Sequence, residues 1–408
     1  MTAFDPDGPR RLLAMPGVGR VLEALAVAGE ETRLVGGCVR DALLGRASDD
    51  IDLATTLTPD AVIARAAAAG LRSIPTGIEH GTVTLMAEGH TFEVTTLRED
   101  VETDGRHAVV RFGLDFARDA ERRDFTINAL SVDAAGTVHD TTDGIADLAA
   151  GRVRFIGAAR TRIREDALRI LRFFRFQARY GAGAPDPEGL AACIAARDAL
   201  DGLSRERVRA ELLKLLMAPA SVTALTTLSE TGLLGRLIGG IGDLSRLERV
   251  VRAPHDAAAR LAALAVFSAA DAERLAERLR LSKAEQAGLG AYGRALDAVK
   301  GRDTMDAAAL RGLAATHGAR SLDLAVVALA GGSRPVLTDG ARELLGAMAR
   351  GDVPVPAFPL TGADLVAHGL AAGPEIGRRL GRARTFWLAA GCPEGAEARE
   401  TLLARALA

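Results

Sequence analysis

Residues 34–56 read LVGGCVRDALLGRASDDIDLATT, and this stretch decides the fold of the N-terminal part of the chain. Leu34 and Val35 end a short apolar strand, Gly36 and Gly37 turn the backbone, and an apolar run then opens a helix. Because glycine has no Cβ, a phosphate group can approach the backbone closely at such a turn, and a helix N-terminus favours anions. The stretch therefore predicts a strand–turn–helix unit that binds a phosphorylated ligand.

Two acidic residues follow on the next predicted strand. Asp50 and Asp52 alternate with Ile51 and Leu53, and side chains two residues apart on a strand lie on the same face. Two carboxylates aimed at one point suit Mg²⁺, which proteins hold through carboxylate and phosphate oxygens together. We therefore predict that Asp50 and Asp52 are catalytic residues that bind Mg²⁺ beside the triphosphate of a nucleotide.

Composition is that of an ordinary globular protein. The 408 residues, 48% hydrophobic and 25% charged, are enough for two or three domains. The formal net charge of −2 argues against a uniformly basic nucleic-acid-binding protein, but arginines cluster between residues 152 and 179, which favours local phosphate binding. Three widely spaced cysteines predict neither a disulfide framework nor a zinc site. The N-terminus has no signal-peptide pattern and no apolar run is long enough to cross a bilayer, so we expect a cytoplasmic protein.

Strand and helix signals divide the chain near residue 150. Before it, strands are predicted at 32–35, 51–53, 82–86 and 91–97. Thr58 and Pro59 predict the N-cap and first residue of a helix that Gly70 ends. Residues 98–113 are polar without a clear period and are predicted to form a loop. Helical patterns run from about residue 151 almost to the end.

The Gly-Gly turn followed by Asp-x-Asp resembles the head motif of the DNA polymerase beta nucleotidyltransferase superfamily. The GGCVRD and DDIDLAT segments are similar to its class II branch, which contains CCA-adding tRNA nucleotidyltransferases and bacterial poly(A) polymerases. The resemblance implies an α+β fold: an N-terminal nucleotidyltransferase head with a mixed sheet, followed by an all-helical neck, body and tail. We expect a catalytic head at 1–150, a neck that recognises the base at 151–220, a body at 221–345 and a tail that contacts tRNA at 346–408.

Superfamily members place a third catalytic carboxylate on a later strand. Glu93 is our choice, because Phe92 and Val94 are expected in the core and Glu93 then points to the opposite face. Glu99 and Asp100 are the alternatives for this role. A solvated strand glutamate without a catalytic role is the structural alternative for Glu93.

The segment 122–130, RRDFTINAL, matches the RRDFTxNA motif that contacts ribose and triphosphate in relatives. Arginine offers a planar donor fork to phosphate, and a carboxylate accepts hydrogen bonds from ribose hydroxyls. Helix capping and core packing are the structural alternatives, and they can coexist with nucleotide binding. The resemblance assigns nucleotide binding to residues of this motif and of the glycine turn: Gly36, Gly37, Arg40, Arg122, Arg123, Asp124 and Asn128. Downstream, residues 144–148 resemble the GxxDL element, a hinge-like link between head and neck.

Residues 165–169 read EDALR and resemble the EDxxR motif, which serves class II enzymes as an amino-acid template for the base. We expect Asp166, Arg169, Arg172 and Arg175 to bind the nucleotide from one helix, where residues three apart are neighbours. The carboxylate would accept from the exocyclic amino group of cytosine or adenine, and the guanidinium would donate to the adjacent ring acceptors. An i,i+3 surface salt bridge is the structural alternative.

Two further segments resemble family elements. Residues 203–216, with Ser204 as N-cap, are predicted to support the neck. Residues 360–388 resemble a C-terminal element of bacterial members, and its arginines either contact tRNA phosphates or form a solvated face. These arginines are Arg378, Arg379, Arg382 and Arg384.

The resemblance implies template-independent addition of C, C and A to tRNA 3′ ends from CTP and ATP, with Mg²⁺ as cofactor and pyrophosphate as product. It implies tRNA, CTP and ATP as partners, and neither a membrane nor a protein partner. Poly(A) addition is the main alternative, but residues 70–85 lack the GRRF-type element of bacterial poly(A) polymerases. Addition of A alone and a catalytically inactive tRNA-binding protein remain open. An HD phosphohydrolase is disfavoured, because residues 151–254 contain no histidine.

Overall fold

The computed structural model describes residues 4–48, 50–75, 77–103, 108–113, 115–332 and 335–408. The chain forms two compact units, residues 1–200 and 201–408. The first combines a mixed sheet with helices and the second is largely helical, so the predicted α+β class is confirmed. None of the described helices combines the length and apolar character needed to cross a membrane.

The first unit carries the strands that position the site. They are β1 (Thr32–Val35), β2 (Ile51–Thr55), β3 (Arg72–Ile74), β4 (Thr82–Ala87), β5 (His90–Thr96), β6 (Arg98–Thr103), β7 (Ala108–Phe112), β8 (Ser131–Val132) and β9 (Val138–His139). Its helices are α1 (Gly8–Leu13), α2 (Val18–Leu25), α3 (Gly37–Leu43), α4 (Pro59–Ala68), α5 (Phe116–Glu121), α6 (Gly144–Ala149), α7 (Ala159–Glu165), α8 (Arg169–Tyr180) and α9 (Pro187–Ala195). Short 3-10 turns occur at Ile78–His80, Thr126–Asn128 and Arg197–Gly202.

The main sheet has the strand order β3-β4-β5-β2-β1-β8-β9. Strands β2 and β5 pair in parallel, whereas the other neighbours pair antiparallel. Leu53 lies opposite Val94 in the β2–β5 register, and both side chains are buried. The alternation that buries these aliphatic residues turns the intervening acidic residues away from the core.

Local sequence signals located most of these elements. The strand predicted at 32–35 coincides with β1, and the other three predicted strands overlap β2, β4 and β5. The helix start is also confirmed, because the Thr58 hydroxyl accepts a hydrogen bond from the Ala61 N–H at 3.4 Å. The chain leaves α4 through Gly70, whose φ of +68° suits glycine.

The loop predicted at 98–113 is wrong for the part of that segment that the structure describes. Strands β6 and β7 form an antiparallel hairpin with an irregularity between Asp100 and Glu102, and residues 104–107 lie outside the described part. The N–H of Gly113 donates to the carbonyl of Leu97 at 2.8 Å, which closes the base of the hairpin. The two strands satisfy each other's backbone groups, so pairing occurs here without the alternation of polar and apolar residues that sequence analysis requires.

The second unit is built from helices. They are α10 (Arg205–Leu216), α11 (Ser221–Glu230), α12 (Leu233–Ile238), α13 (Leu244–Val250), α14 (Ala257–Ala265), α15 (Ala269–Leu279), α16 (Lys283–Val299), α17 (Ala307–His317), α18 (Ala319–Leu329), α19 (Asp339–Arg350), α20 (Gly362–Ala367), α21 (Pro374–Ala389) and α22 (Ala396–Leu407). The predicted N-cap Ser204 accepts from the Arg207 N–H at 3.3 Å. Two short strands that the sequence did not reveal, β10 (Thr304–Met305) and β11 (Val336–Leu337), pair in parallel. Cys38, Cys193 and Cys392 are buried free thiols.

Candidate active site

The acidic residues predicted to be catalytic meet on neighbouring strands. Asp52 of β2 lies directly opposite Glu93 of β5 in the parallel register. Their strand neighbours are buried, whereas Asp52 is partly exposed and Glu93 and Asp50 are exposed. The predicted alternation is therefore observed for Asp52 and Glu93, and Asp50 immediately precedes β2. Their catalytic roles remain predictions, and the side chains of the alternatives Glu99 and Asp100 lie outside the described part of the structure.

Electrostatics at Asp52 match a site for a cation. Burial raises the pKa of the Asp52 carboxyl, and the negative charge of Glu93 raises it further. Arg123 opposes this shift, while Asp50 adds to it. Carboxylates that repel one another in this way fit a divalent metal ion, which would remove the repulsion.

Within the described residues, no three acidic, histidine or cysteine side chains form a ready-made metal cluster. Proteins usually hold Mg²⁺ through one or two carboxylates that share the ion with substrate phosphates.

The glycine turn brings an arginine against the backbone. Gly36 has φ +75°, and a Cβ at this position would lie 2.7 Å from Nη1 of Arg123. Its N–H donates to the Leu130 carbonyl at 2.9 Å, and Gly37 opens α3. Glycine is favoured at position 36 because L residues rarely adopt this φ, and a side chain there would also displace the end of Arg123.

Arg122 and Arg123 share one buried carboxylate. Asp119 accepts from Nε of Arg122 at 2.9 Å through Oδ1, and from Nε and Nη2 of Arg123 at 3.2 and 3.1 Å through Oδ2. Nη2 of Arg122 also bonds to Oδ1. Both arginine side chains stay partly exposed, so the pair is held in place while still open to a ligand.

Asp124 and Asn128 connect the RRDFTINAL segment to α8. Asp124 accepts from Nε of Arg172 at 2.6 Å and from Nδ2 of Asn128 at 2.9 Å. The Asn128 amide oxygen accepts from Nη1 of Arg40. The structure therefore brings four predicted nucleotide-binding residues together, but it joins them to one another. Phe125 and Ile127 pack in the core, as the structural alternative proposed.

Arg40 is more enclosed than the sequence suggested. It is buried, its Nε and Nη2 donate to the Asp41 carboxylate at 3.1 and 3.0 Å, and its guanidinium lies 4.2 Å from the centre of the Tyr180 ring. Direct contact with a triphosphate would require these bonds to rearrange. Arg40 can instead act on the site through Asn128.

The expectation that Asp166 lies on one helix with Arg169 is wrong. Helix α7 ends at Glu165, Asp166 is extended with φ −153°, and α8 begins at Arg169. The Asp166 carboxylate accepts from the Leu168 N–H at 3.0 Å, and such a local bond from an aspartate to the backbone competes with the helix. Arg169, Arg172 and Arg175 do share α8 at the predicted spacing.

Arg169 contacts the preceding helix, α7, and the RRDFTINAL segment. Its Nη1 donates to Glu165 at 2.5 Å and to the Arg162 carbonyl at 3.0 Å, and its Nη2 donates to the Arg122 carbonyl at 3.3 Å. Arg169 thus forms a salt bridge with Glu165, four residues earlier in the chain. Further along α8, Arg175 lies 4.5 Å from the centre of the Phe176 ring.

Several arginines of the 152–179 cluster are tied to protein groups. Nε of Arg152 and Nε of Arg154 donate to the buried carboxylate of Asp147 at 2.7 and 2.9 Å, and the Thr126 hydroxyl donates to it at 2.7 Å. These contacts hold α6, which contains the GxxDL element, against the RRDFTINAL segment. The cluster is therefore only partly available for phosphate.

Comparison with known proteins places the chain in a family. Residues 32–154 match the model of the poly A polymerase head domain, and residues 184–241 match the model of the probable RNA and SrmB-binding site of polymerase A. The mitochondrial CCA tRNA nucleotidyltransferase 1 of Danio rerio is 38% identical over 366 residues, which covers 88% of this chain and 83% of the fish protein. The chain belongs to the CCA tRNA nucleotidyltransferase family. The predicted class II resemblance is confirmed.

Two further relatives agree. The mitochondrial CCA tRNA nucleotidyltransferase 1 of Mus musculus is 34% identical to this chain. The aligned region covers 92% of this chain and 87% of the mouse protein. The crystal structure of the Bacillus stearothermophilus CCA-adding enzyme in complex with CTP superposes with a TM-score of 0.72 and 27% identity, covering 94% of this chain and 95% of that one.

Sequence analysis missed two site residues of this CCA tRNA nucleotidyltransferase family member. Asp119 precedes Arg122 by three residues and Arg123 by four, which is the spacing of side-chain pairs on a helix and could have revealed it. The Tyr180 ring lies against Arg40 although the two residues are far apart in the sequence, and no local sequence pattern predicts such a contact.

Proposed function

We propose that this protein adds C, C and A in order to the 3′ end of tRNA, using CTP and ATP and releasing pyrophosphate, without a nucleic-acid template. The observation that carries the proposal is family membership over 88% of the chain, combined with Asp52, Glu93 and Arg123 at one point of the sheet. A cytoplasmic location, expected from the sequence, is part of the proposal.

The proposed division of labour follows the site. Arg122 and Arg123 bind the triphosphate, with Gly36 allowing the close approach. Asp50 and Asp52 would hold a divalent metal ion, the cofactor type of this family, which we propose is Mg²⁺ and which would supply charge neutralisation at the reacting phosphate oxygens. Glu93 completes the carboxylate group.

Base choice is assigned to Asp166 and Arg169. Asp166 lies between α7 and α8, beside the helix that begins with Arg169, so both can face a base although they do not share a helix. A buried carboxylate left facing the carbonyl of guanine or uracil would cost roughly 2 to 5 kcal/mol. Arg172 and Arg175 follow Arg169 on α8. We propose that Arg172 contributes to nucleotide binding through its hydrogen bond to Asp124.

Domain roles complete the proposal. The head at 1–150 carries the chemistry and the neck at 151–220 recognises the base. A helical body follows at 221–345, and the helical tail at 346–408 is the proposed tRNA contact. The family-model matches at 32–154 and 184–241 support a head and an RNA-binding region near these positions.

One assay tests the function. Purified protein and Mg²⁺ are incubated with tRNA that lacks its CCA end, with each labelled nucleotide separately and with CTP and ATP together. We expect C, C and A to be added in order, without GTP or UTP incorporation. The control is the Asp50→Ala, Asp52→Ala double variant, which should still bind tRNA.

Other outcomes identify the alternatives. Long adenylation of an unstructured RNA without CTP incorporation would indicate a poly(A) polymerase. Incorporation of ATP alone, and only onto tRNA that already ends in CC, would indicate an A-adding enzyme.

A further inference from the structure

Asp119 is the centre of a compact charge cluster. Its carboxylate is buried, and each of its two oxygens accepts hydrogen bonds from one arginine. Oδ1 accepts from Arg122 and Oδ2 accepts from Arg123. Burial by itself would raise the pKa of Asp119, but the guanidinium groups of Arg123 and Arg122 hold that pKa below its usual range. One anion between two cations leaves a net positive charge at the cluster.

The arginine pair faces the proposed reaction site. Arg123 acts electrostatically on Asp52, and its Nη1 reaches the Asn128 carbonyl at 3.3 Å beside Gly36. Nη1 of Arg122 has no hydrogen-bond partner among the described residues, and about a third of that side chain is exposed, 31%. Nη1 of Arg122 is therefore the donor that Asp119 leaves available to a phosphate group, whereas Nη1 of Arg123 already donates to the Asn128 carbonyl.

Among the residues that the structure describes, the hydrogen bond between this cluster and Arg169 runs through the Arg122 backbone. The Arg122 carbonyl accepts from Nη2 of Arg169, whereas Asp119 binds the Arg122 side chain. A change at Asp119 thus moves the guanidinium groups first and the base-reading residues little.

We propose that Asp119 is a positioning residue that orients Arg122 and Arg123 toward the triphosphate of the incoming nucleotide. The inference rests on the proposed function, and it concerns the phosphates and not the base. An arginine whose side chain is already fixed loses less freedom when it binds phosphate, and small displacements of such groups cost activity steeply.

Two substitutions test this role. In Asp119→Asn the amide presents a donor to one arginine and releases it. In Asp119→Glu the charge is kept but the carboxylate moves by one methylene. We expect the KM for both CTP and ATP to rise on the order of 10- to 100-fold in Asp119→Asn, and several-fold in Asp119→Glu.

Inorganic pyrophosphate separates positioning from general damage, because it shares the phosphates of the nucleotide and has no base. Its inhibition constant should rise in parallel with the KM for CTP. The KM for tRNA and the preference for CTP over UTP should stay at wild-type values. Asp166→Ala should show the opposite pattern, with altered base preference and unchanged pyrophosphate inhibition.

Asp115→Asn is the matched control. Asp115 lies on the exposed start of the same helix, where it accepts from the Ala117 and Arg118 N–H groups, and the substitution makes the same charge change away from the arginine pair. Wild-type KM and pyrophosphate values in a folded Asp119→Asn or Asp119→Glu variant would overturn the inference while CCA addition stands. Absence of CCA addition by the wild-type protein would instead overturn the proposed function.

Discussion

At the scale of single residues, Asp52, the proposed metal ligand, is expected to lower the stability of the folded state when its carboxyl is ionised. Its pKa is raised by burial and by Glu93, so the folded state holds the Asp52 proton more tightly than the unfolded state does. The free energy of unfolding therefore falls as pH rises from the ordinary aspartate pKa through the raised one. Ionisation of Asp52 is therefore less favourable in the folded state than in the unfolded state.

Asp52→Asn should reduce nucleotide incorporation and raise the stability of the folded state. Nucleotide incorporation should fall by at least about 100-fold, since loss of a metal ligand removes several kcal/mol of transition-state stabilisation. With EDTA present, the variant should melt at a higher temperature than the wild type at pH 7, and this gain should vanish near and below about pH 4, where the wild-type carboxyl is also protonated.

Thermal unfolding between pH 3.5 and pH 8 measures the effect. Asp50→Asn is the control, because Asp50 is exposed and should give a smaller gain in melting temperature while also reducing activity. A melting temperature for Asp52→Asn at or below that of the wild type at pH 7 would show that repulsion at Asp52 does not weaken the fold.

At the scale of elements, an aromatic cluster joins the RRDFTINAL segment to α8. The Phe125 ring lies 4.9 Å from that of Phe155 and 5.1 Å from that of Phe176, and the Phe155 and Phe173 rings stack at 5.4 Å. Rings at such distances attract beyond their burial of apolar area. The cluster therefore fixes the segment that carries Arg122 and Arg123 against the helix that carries Arg169.

Helix α16 offers a matched pair of glycines in the second unit. At Gly293 a Cβ would lie 2.9 Å from the backbone of Ala269, the first residue of α15, whereas at Gly288 nothing lies within 4 Å. Gly288→Ala should stabilise by roughly 0.5 to 1 kcal/mol, because alanine favours the helix interior. Gly293→Ala should destabilise by roughly 1 to 3 kcal/mol, because the backbones must separate.

Scanning calorimetry of both variants checks this prediction, with opposite shifts in the transition of the helical unit expected. Shifts of the same sign would mean that close contact between α15 and α16 does not depend on Gly293.

At the scale of the whole molecule, a near-neutral chain must bind tRNA through local positive charge. The arginines of α21 differ in their surroundings. Arg379 donates to the Ala406 and Leu407 carbonyls and pairs with Glu375, so it holds α22. Arg378, Arg382 and Arg384 are exposed, although Arg378 also pairs with Glu375.

Replacing Arg378, Arg382 and Arg384 by alanine should raise the KM for tRNA and weaken its salt dependence. Each lost phosphate contact should reduce the slope of log affinity against log salt by about 0.7 to 0.9. The KM for CTP should not change. Arg379→Ala is the contrasting variant and should lower the melting temperature. An unchanged salt slope in the triple variant would show that these arginines form a solvated face.

The sequence by itself determined the features that depend on neighbouring residues. The alternation around Asp52 and Glu93, the cap at Thr58 and the family motifs could all be predicted, because strand and helix periods and turn chemistry act over a few residues. The fold class and the family followed from these local patterns and from the resemblance they carried.

Only the tertiary structure decided how the charged groups of the site are partnered. It enclosed Arg40 beneath Tyr180, joined Asp124 to Arg172, paired β6 with β7 and placed Asp166 between two helices. These outcomes depend on contacts between distant segments and on local hydrogen bonds that compete with a helix, and neither leaves a periodic trace in the sequence. Folding therefore determines which arginines remain available to bind phosphate, because each buried carboxylate requires a positively charged partner.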